Sequence, residues 1–373
     1  MPSTLYPPPA DRDDRLVAAW LFACAAMIFA MVVLGGITRL TQSGLSITEW
    51  DPVTGVLPPL SAAAWQQEFA RYQQIPQYKL LHSWMTLADF KTIFFWEWLH
   101  RLWGRLIGVA FAVPLVWFVL RRRIRRGLAP RLFGIFLLGG AQGALGWFMV
   151  ESGLVHRVEV SQYRLVAHLA LALLIYAAIL RTALGLIWPA TPATGHAAPL
   201  RRAVGGLAIL VFVTMLAGGF TAGLNAGLVY NTFPLMDGHF VPAGYGQLVP
   251  WWRNWFENVA AVQFNHRLLA ETTFTATVLL WLWSRRLVLA PRGRIAVNFL
   301  LAAVCLQLAL GISTLLLVVP TPLGVAHQAG ALLLFTAALV AHSALRPAAA
   351  PVAARAAAAA ALGQLDESPA ALL

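Results

Sequence analysis

Eight long apolar stretches dominate this chain of 373 residues and restrict it to folds that a lipid bilayer can surround. A helix needs roughly 20 apolar residues to cross the hydrocarbon core, and each stretch is near that length. Hydrophobic residues make up 59% of the chain and charged residues 11%, which excludes an ordinary soluble globular protein. The stretches lie near 16–36, 93–120, 132–150, 165–180, 203–221, 259–283, 295–319 and 323–345. The sequence therefore predicts an all-α integral membrane protein with eight transmembrane helices, the fourth of which must extend at one end.

Arginines in the short connections predict how these helices are oriented. The connections after the second and sixth stretches contain many arginines and no acidic residue. By the positive-inside rule both face the cytoplasm, which places both termini there as well. Their arginines are Arg121, Arg122, Arg123, Arg125, Arg126 and Arg131, and Arg285, Arg286, Arg292 and Arg294. Because the net charge of +12 is sorted by loop and forms no basic stripe with interleaved aromatics, lipid is the predicted partner and nucleic acid is excluded.

The amino-terminal segment predicts the compartment. Residues 1–15 have neither the basic start of a signal peptide nor an arginine-rich, acid-poor transit sequence. We therefore expect a multi-pass protein of a bacterial inner membrane. The odd-numbered connections would then face the periplasm.

The two halves of the chain repeat the same motifs. Gly-Gly-Ile-Thr at 35–38 corresponds to Gly-Gly-Phe-Thr at 218–221. Glu-Trp-Leu-His-Arg-Leu at 97–102 corresponds to Gln-Phe-Asn-His-Arg-Leu at 263–268. Since both halves begin on the cytoplasmic side, the repeat predicts two four-helix bundles related by a pseudo-twofold axis along the membrane normal. The predicted division is a tail at 1–15, a first half at 16–180, a linker at 181–202, a second half at 203–345 and a disordered tail at 346–373.

Four histidines lie just inside the predicted outer ends of the even-numbered stretches. They form two pairs along the chain, His100 with His168 and His266 with His327. Two buried imidazoles that face each other across a helical bundle can hold a haem iron from both sides. One haem-sized site is therefore expected in each half, whereas a zinc or di-iron site would need more ligands at close spacing.

Glu97, His100 and Arg101 project from one side of the second stretch, because they are three and four residues apart. One interpretation is a self-neutralising Glu97–Arg101 pair beside a structural histidine. The recurrence of His-Arg at His266 and Arg267 favours haem ligation, since a guanidinium beside an axial ligand can bind a haem propionate. A proton-relay transporter stays open, although these polar residues do not form a chain across the membrane.

Gln263 stands in the second half where Glu97 stands in the first. A carboxylate one turn from a haem can hold a water molecule or take up a proton, whereas an amide cannot exchange protons near neutral pH. We therefore expect chemistry at the first site and electron transfer at the second. The alternative is that the difference is neutral drift at a hydrogen-bonded position.

The remaining notable residues are expected to have ordinary roles. Cys24 and Cys305 are predicted to be small buried hydrophobic residues. The other histidines are predicted to be solvated or structural, and two of them, His82 and His239, could lie over the haem sites. The outer connections lie near 37–92 and 222–258. They include a predicted amphipathic interfacial helix at 65–72 and three tryptophans suited to the headgroup level, Trp251, Trp252 and Trp255.

Three motifs are shared with a known family. They are GGITRLTQSGLS at 35–46, YQQIP at 72–76 and EWLHRLWGR at 97–105. With them the chain resembles haem A synthase, in the form shared by proteobacteria and mitochondria, over about residues 16–345. The resemblance implies oxidation of a ring methyl of haem O, through a hydroxymethyl intermediate, to the formyl group of haem A for cytochrome oxidase. Some relatives carry a cysteine pair in the first outer connection, which this chain lacks between Arg39 and Lys91.

The resemblance also implies site residues and partners. His266 and His327 match a pair that holds the cofactor haem b, His100 and His168 match the pair taken as the site of the substrate haem O, and Glu97 matches a catalytically important glutamate. We expect Arg101 and Arg267 to hold propionates. Haem O synthase, oxidase-assembly proteins and an unidentified electron donor are the implied partners.

Two other classes of function remain open. The first is a dihaem b-type membrane electron carrier, in which the bound haem changes only its redox state. The second is a haem transporter or chaperone, which would bind haem without any oxidation that depends on Glu97. Chemical change of haem O separates both from an enzyme.

Overall fold

The computed structural model describes residues 11–51, 54–154, 158–188 and 197–346. Within these ranges the chain is almost entirely helical and contains no β-strand. Eight of its helices have 24 to 34 residues: α1 Arg12–Leu40, α3 Leu87–Leu120, α4 Leu128–Leu154, α5 Gln162–Ile187, α6 Ala198–Gly223, α8 Val259–Arg285, α9 Pro291–Leu316 and α10 Thr321–Ala344. Two shorter helices, α2 Ala62–Tyr72 and α7 Asn254–Glu257, lie in the connections.

Seven of these helices are long and apolar enough to cross a membrane: α1, α3, α4, α5, α6, α9 and α10. The chain is therefore an all-α, multi-pass membrane protein, as predicted. Helix α8 has 27 residues, but Gln263, Asn265, His266, Arg267 and Glu271 make its first half polar. An eighth membrane span remains a prediction.

The helix ends follow local sequence signals. Thr86 and Asp89 form a capping box that starts α3, and Asn258 caps α8 by accepting from two backbone N–H groups. A proline in the first turn starts α6, α9 and α10, at Pro199, Pro291 and Pro322. The fourth predicted stretch is extended at both ends in α5, so α5 and α6 reach into the predicted 181–202 linker. The predicted tail disorder falls mostly outside the described residues, as do His156 and His196.

Each half forms a ring of four helices. In the first half α1 packs on α3 and α5, and α4 closes the ring by packing on α3 and α5 as well. In the second half α6 packs on α8 and α10, and α9 closes the ring. The halves meet where α1 packs on α10 and α5 packs on α6, with α5 also touching α10. Helix α1 corresponds to α6, and α5 corresponds to α10. Exchanging the two halves therefore turns the α1–α10 contact into the α6–α5 contact, as a pseudo-twofold axis requires.

The second glycine of each Gly-Gly pair lies at the contact between the halves. A methyl group on Gly36 of α1 would collide with Gln328 of α10, and one on Gly219 of α6 would lie 3.0 Å from Cγ2 of Val166 in α5. Small residues let membrane helices approach closely, which adds van der Waals contact where lipid offers no hydrophobic driving force. The repeated glycines thus explain how the two bundles can pack along matching seams.

The first outer connection covers the first half with its own hydrophobic cluster. Helix α2, capped by Ser61, contains the predicted amphipathic helix at 65–72. The rings of Phe69 and Tyr72 each lie 5.2 Å from that of Phe90 near the start of α3. The apolar face of α2 therefore packs on protein, in addition to any contact with the membrane surface. The second connection leaves Trp251, Trp252 and Trp255 exposed.

Candidate functional site

All four predicted histidines pack against a glycine of a neighbouring helix in the same half. The pairs are Gly35 with His100, Gly146 with His168, Gly218 with His266 and Gly311 with His327. A methyl group on these glycines would lie between 2.9 and 3.3 Å from Cε1 of the ring. Carbon atoms in favourable contact are about 3.5–4.0 Å apart, so each ring needs a residue without a side chain opposite it.

Helices α4 and α9, which carry none of these histidines, take part in the sites through a shared motif. Residues 142–146 read Gln-Gly-Ala-Leu-Gly, and residues 307–311 read Gln-Leu-Ala-Leu-Gly. The glycine of each motif faces a histidine. Neither Gly146 nor Gly311 was predicted from the sequence, although the repeat of this motif between the halves was a usable signal.

In the second half, His266 and His327 face each other. Their ring centroids are 6.4 Å apart and their planes are inclined by 77°. Two imidazoles that bind one metal ion from opposite sides, through bonds of about 2 Å as in zinc sites, have centroids about 6 Å apart. The spacing of this pair therefore fits a single iron between the rings.

The far nitrogens of the second pair point at protein groups. Nδ1 of His266 lies 3.2 Å from the backbone oxygen of Thr214, and Nδ1 of His327 lies 3.1 Å from Nε2 of Gln307. Oε1 of Gln307 is buried and has no hydrogen-bond partner among the described residues. The two ends of an amide are nearly alike in shape, so turning this one around would present Oε1 to Nδ1. Both rings then keep Nε2 available for a metal ion.

The first pair lacks these restraints. Nδ1 of His100 and Nδ1 of His168 are buried and make no hydrogen bond within the part of the chain that the structure describes. Gln142, the counterpart of Gln307, instead donates from Nε2 to the backbone oxygen of His168 at 3.0 Å. The hydrogen bonds at Nδ1 that orient the second pair therefore have no counterpart in the first pair within the described residues.

The buried Glu97 carboxylate ties the first outer connection to α3. Oε2 accepts hydrogen bonds from Oγ of Ser46 and the backbone N–H of Ile47, both at 2.8 Å. Oε1 accepts from Nε and Nη2 of Arg101, at 3.1 and 2.7 Å. The self-neutralising Glu97–Arg101 pair is therefore present, and it holds the loop one turn from His100.

Arg101 and Arg267 hold the two outer connections in the same way. Each donates from Nη2 and Nη1 to two backbone oxygens that are two residues apart. The acceptors are Ile47 and Glu49 for Arg101, at 2.9 and 3.0 Å, and Tyr230 and Thr232 for Arg267, at 2.6 and 2.8 Å. Two N–H groups of each arginine, which were expected to contact propionates, are thus used on loop carbonyls. Nε of Arg267 is buried without a partner in the described ranges, and Arg101 lines a small cavity beside Trp50 and Trp147.

The exchange of Glu97 for Gln263 reverses a hydrogen bond. Glu97 accepts from a backbone N–H of its loop, whereas Gln263 donates from Nε2 to the backbone oxygen of Tyr230 at 3.0 Å. The two loops present opposite groups at this point. Oε1 of Gln263 is buried and has no hydrogen-bond partner among the described residues, so the amide is satisfied less completely by its surroundings than the Glu97 carboxylate is.

His82 belongs to a buried network above the first half. Its Nδ1 lies 2.6 Å from the hydroxyl of Tyr72 and its Nε2 lies 3.0 Å from Oε1 of Gln42. Gln77 joins the same network by accepting from Tyr72 and donating to the backbone oxygen of Gln42. Burial lowers the pKa of His82 and raises the pKa of Tyr72. The network holds one end of the loop that Glu97 holds at the other.

The other residues with expected ordinary roles differ among themselves. His239 is exposed and lies 3.0 Å from the backbone oxygen of Asp237, while His342 joins α10 to the backbone oxygen of Arg201. Both cysteines are free. Cys24 is buried as expected, but Cys305 is exposed, which corrects its prediction because its position on α9 faces away from the bundle.

Comparison with known proteins shows the same family over almost the whole chain. A family model described as cytochrome oxidase assembly protein, COX15-CtaA, matches residues 18–339. The haem A synthase of Nitrosospira multiformis is 53% identical over 336 residues, covering 89% of this chain and 94% of the relative. Those of Rhodospirillum centenum and Parvibaculum lavamentivorans are 54% and 50% identical, covering 86% and 88% of this chain and 86% and 94% of the relatives. The chain belongs to the haem A synthase family.

Proposed function

We propose that this protein is an oxidoreductase that converts haem O into haem A for cytochrome oxidase. The observation that carries the proposal is the repeated glycine–histidine arrangement, with a carboxylate beside the first pair and an amide beside the second. Two histidine pairs at matching positions, with different neighbouring groups, suit an enzyme that binds one haem as a substrate and another as a cofactor. Family membership agrees with this assignment.

The second half is the proposed cofactor site. His266 and His327 would be the axial ligands of a haem b, which supplies one-electron transfer when bound. The 6.4 Å separation of their rings and the orientation of both Nδ1 atoms support ligation through Nε2. Oxidation of a methyl to a formyl group removes four electrons, so a second redox centre beside the substrate has an evident use.

The first half is the proposed substrate site. His100 and His168 would bind the iron of haem O, and Glu97 would act at the methyl group that is oxidised. Hydroxylation gives an alcohol first, and a second oxidation of the same carbon gives a hydrate that loses water to form the aldehyde. Glu97 has two roles in this proposal, since it holds residues 46–47 in place and is the ionisable group nearest His100 along α3 that can exchange a proton at the site.

Arg101 and Arg267 are proposed to contact haem propionates through the N–H groups that their loops leave unused. For Arg267 these are Nε, which is buried without a partner within the described ranges, and the second N–H groups of Nη1 and Nη2. For Arg101 it is the second N–H of Nη1. Their main contacts are with loop carbonyls, so we expect them to hold the outer connections over the haems as well.

The proposed location is a bacterial inner membrane, with both termini in the cytoplasm and both haem sites toward the periplasm. The arginine-rich connections after α3 and α8 support this orientation. Haem O would enter from the lipid, delivered by haem O synthase in the same membrane. Oxidase-assembly proteins would receive the product, and a separate electron donor or acceptor would complete the redox cycle.

A dihaem electron carrier is the second candidate, because all four hydrogen bonds of the Glu97 carboxylate go to protein groups. Mass spectrometry of haems from cells that accumulate haem O separates the two functions. Expression of this chain should produce haem A or its hydroxymethyl precursor. Unchanged haem O beside folded, haem-loaded protein would favour the carrier.

A further inference from the structure

Gln142 and Gln307 occupy matching positions on the two helices that lack the paired histidines. Each precedes by four residues the glycine that faces a histidine, so amide and glycine lie on the same face of their helix. In a membrane protein a buried amide on such a face needs a partner. The two amides have different partners.

Gln307 is held against His327. Its Nε2 lies 3.1 Å from Nδ1 of His327, and its Oε1 is buried without a hydrogen bond in the described chain. The amide fits there because Gly330, three residues after His327, has no side chain, and a methyl group at Gly330 would collide with Oε1. Gly311 and Gly330 thus leave room for the ring and for the amide respectively.

Gln142 does not repeat this contact. The residue three positions after His168 is Leu171, which stands where the second half has Gly330. The Gln142 amide donates to the backbone oxygen of His168, and its Oε1 and Nδ1 of His168 both remain without partners in the described residues. The leucine fits this difference, because a side chain at this position would occupy space equivalent to that which the amide uses beside Gly330 in the second half.

We propose that Gln307 is a positioning residue that fixes His327 as an axial ligand and sets the affinity and redox potential of the second-half haem, whereas Gln142 leaves His168 unrestrained so that haem can be exchanged. The inference rests on the proposed haem site of the second half. An imidazole bound through Nε2 carries its proton on Nδ1, and an acceptor for that proton orients the ring and makes the ligand more basic. A more basic ligand favours ferric iron and therefore lowers the reduction potential.

The test uses the full-length protein with His100→Ala, so that only the second-half haem is titrated. Gln307→Leu, Gln307→Glu and the matched control Gln142→Leu are each purified with haem b and compared by optical redox titration and haem affinity. We expect Gln307→Leu to raise the midpoint potential and weaken haem binding by about tenfold. Gln307→Glu should lower the potential, and Gln142→Leu should change neither quantity.

The variants separate failure of this inference from failure of the proposed site. If His327→Ala keeps the bis-histidine spectrum, the second-half haem site itself is wrong. If His327→Ala loses that spectrum but Gln307→Leu and Gln142→Leu give equal effects, or none, the positioning role is wrong. Should Gln307→Leu fail to fold, the sign of the shift in Gln307→Glu decides, and an unchanged or raised potential overturns the proposal.

Discussion

The two halves share one helical scaffold but differ in the hydrogen bonds that their histidines make through Nδ1. In both, four helices form a ring, glycines receive the imidazoles and an arginine holds the outer loop. In the second half Nδ1 of His266 and Nδ1 of His327 each lie within hydrogen-bond distance of a protein group. In the first half Nδ1 of His100 and Nδ1 of His168 have no hydrogen-bond partner within the described residues. A resident cofactor needs ligands that stay in place, and a substrate needs ligands that can release it. The contrast teaches that a repeated bundle can be specialised by changing the groups behind the ligands.

The helix packing shows the same contrast. Of the most apolar 18 residues of α4, 6% are buried, whereas the corresponding share in α9 is 28%. Methyl groups on Gly139, Gly140 and Gly143 of α4 would meet no atom within 4 Å. Helix α4 therefore packs less extensively on its own bundle than α9 does on its own.

The largest effect should come from exchanging the acid and the amide. Glu97→Gln removes a proton-exchanging group and leaves one acceptor oxygen in place of two, so haem A production should fall by about 100-fold or more while haem binding is retained. Gln263→Glu, the matched variant, should leave most of the production intact. Haem extraction and mass spectrometry measure both. Normal haem A output from Glu97→Gln would remove the chemical distinction between the halves.

The glycines that face the histidines give the next largest effect. Gly311→Ala places a methyl group against His327, and overpacking of this kind typically costs about 1–3 kcal/mol, so second-half haem binding should weaken by roughly 10- to 100-fold. Gly140→Ala on α4 is the control, because its methyl group would meet open space. Haem titration followed by absorbance distinguishes them. Equal affinities in the two variants would show that the rings do not depend on these glycines.

Loss of a loop-holding arginine should have a moderate effect that is similar in the two halves. Arg267→Leu removes two hydrogen bonds from a charged donor to the loop, and such bonds are each worth about 1.5–3 kcal/mol. The second outer connection should become sensitive to protease at a concentration that leaves the first intact, and Arg101→Leu should do the reverse. Protection of both loops in both variants would contradict the shared role.

The smallest effect concerns pH and the outer network of the first half. Burial lowers the pKa of His82 from its usual 6.5, so below that pH the unfolded chain binds more protons than the folded chain. The His82 contribution to stability is therefore present above about pH 6.5 and is lost as the pH falls. Thermal unfolding between pH 5 and 7.5 should show this slope, and His82→Gln should flatten it. An identical slope in the variant would exclude His82 as its source.

Sequence predicted which polar side chains the helices bury better than it predicted their partners. The four histidines and Glu97 were proposed as site residues because membrane helices rarely bury such side chains without a function. The arginine contacts differed from expectation, since a sequence shows a guanidinium but not whether a propionate or a loop carbonyl will lie opposite it. Gln142 and Gln307 were missed because their roles depend on whether a leucine or a glycine lies on the adjacent helix.

If the halves hold different haems for different purposes, variants that disable one half should each lose a different haem. The protein is purified from cells that make both haem O and haem b, with His168→Ala in one sample and His327→Ala in the other. Mass spectrometry of the haems should find haem b but little haem O or haem A in His168→Ala, and loss of haem b in His327→Ala. The same mixture of haems in both variants would show that the two halves do not bind different haems.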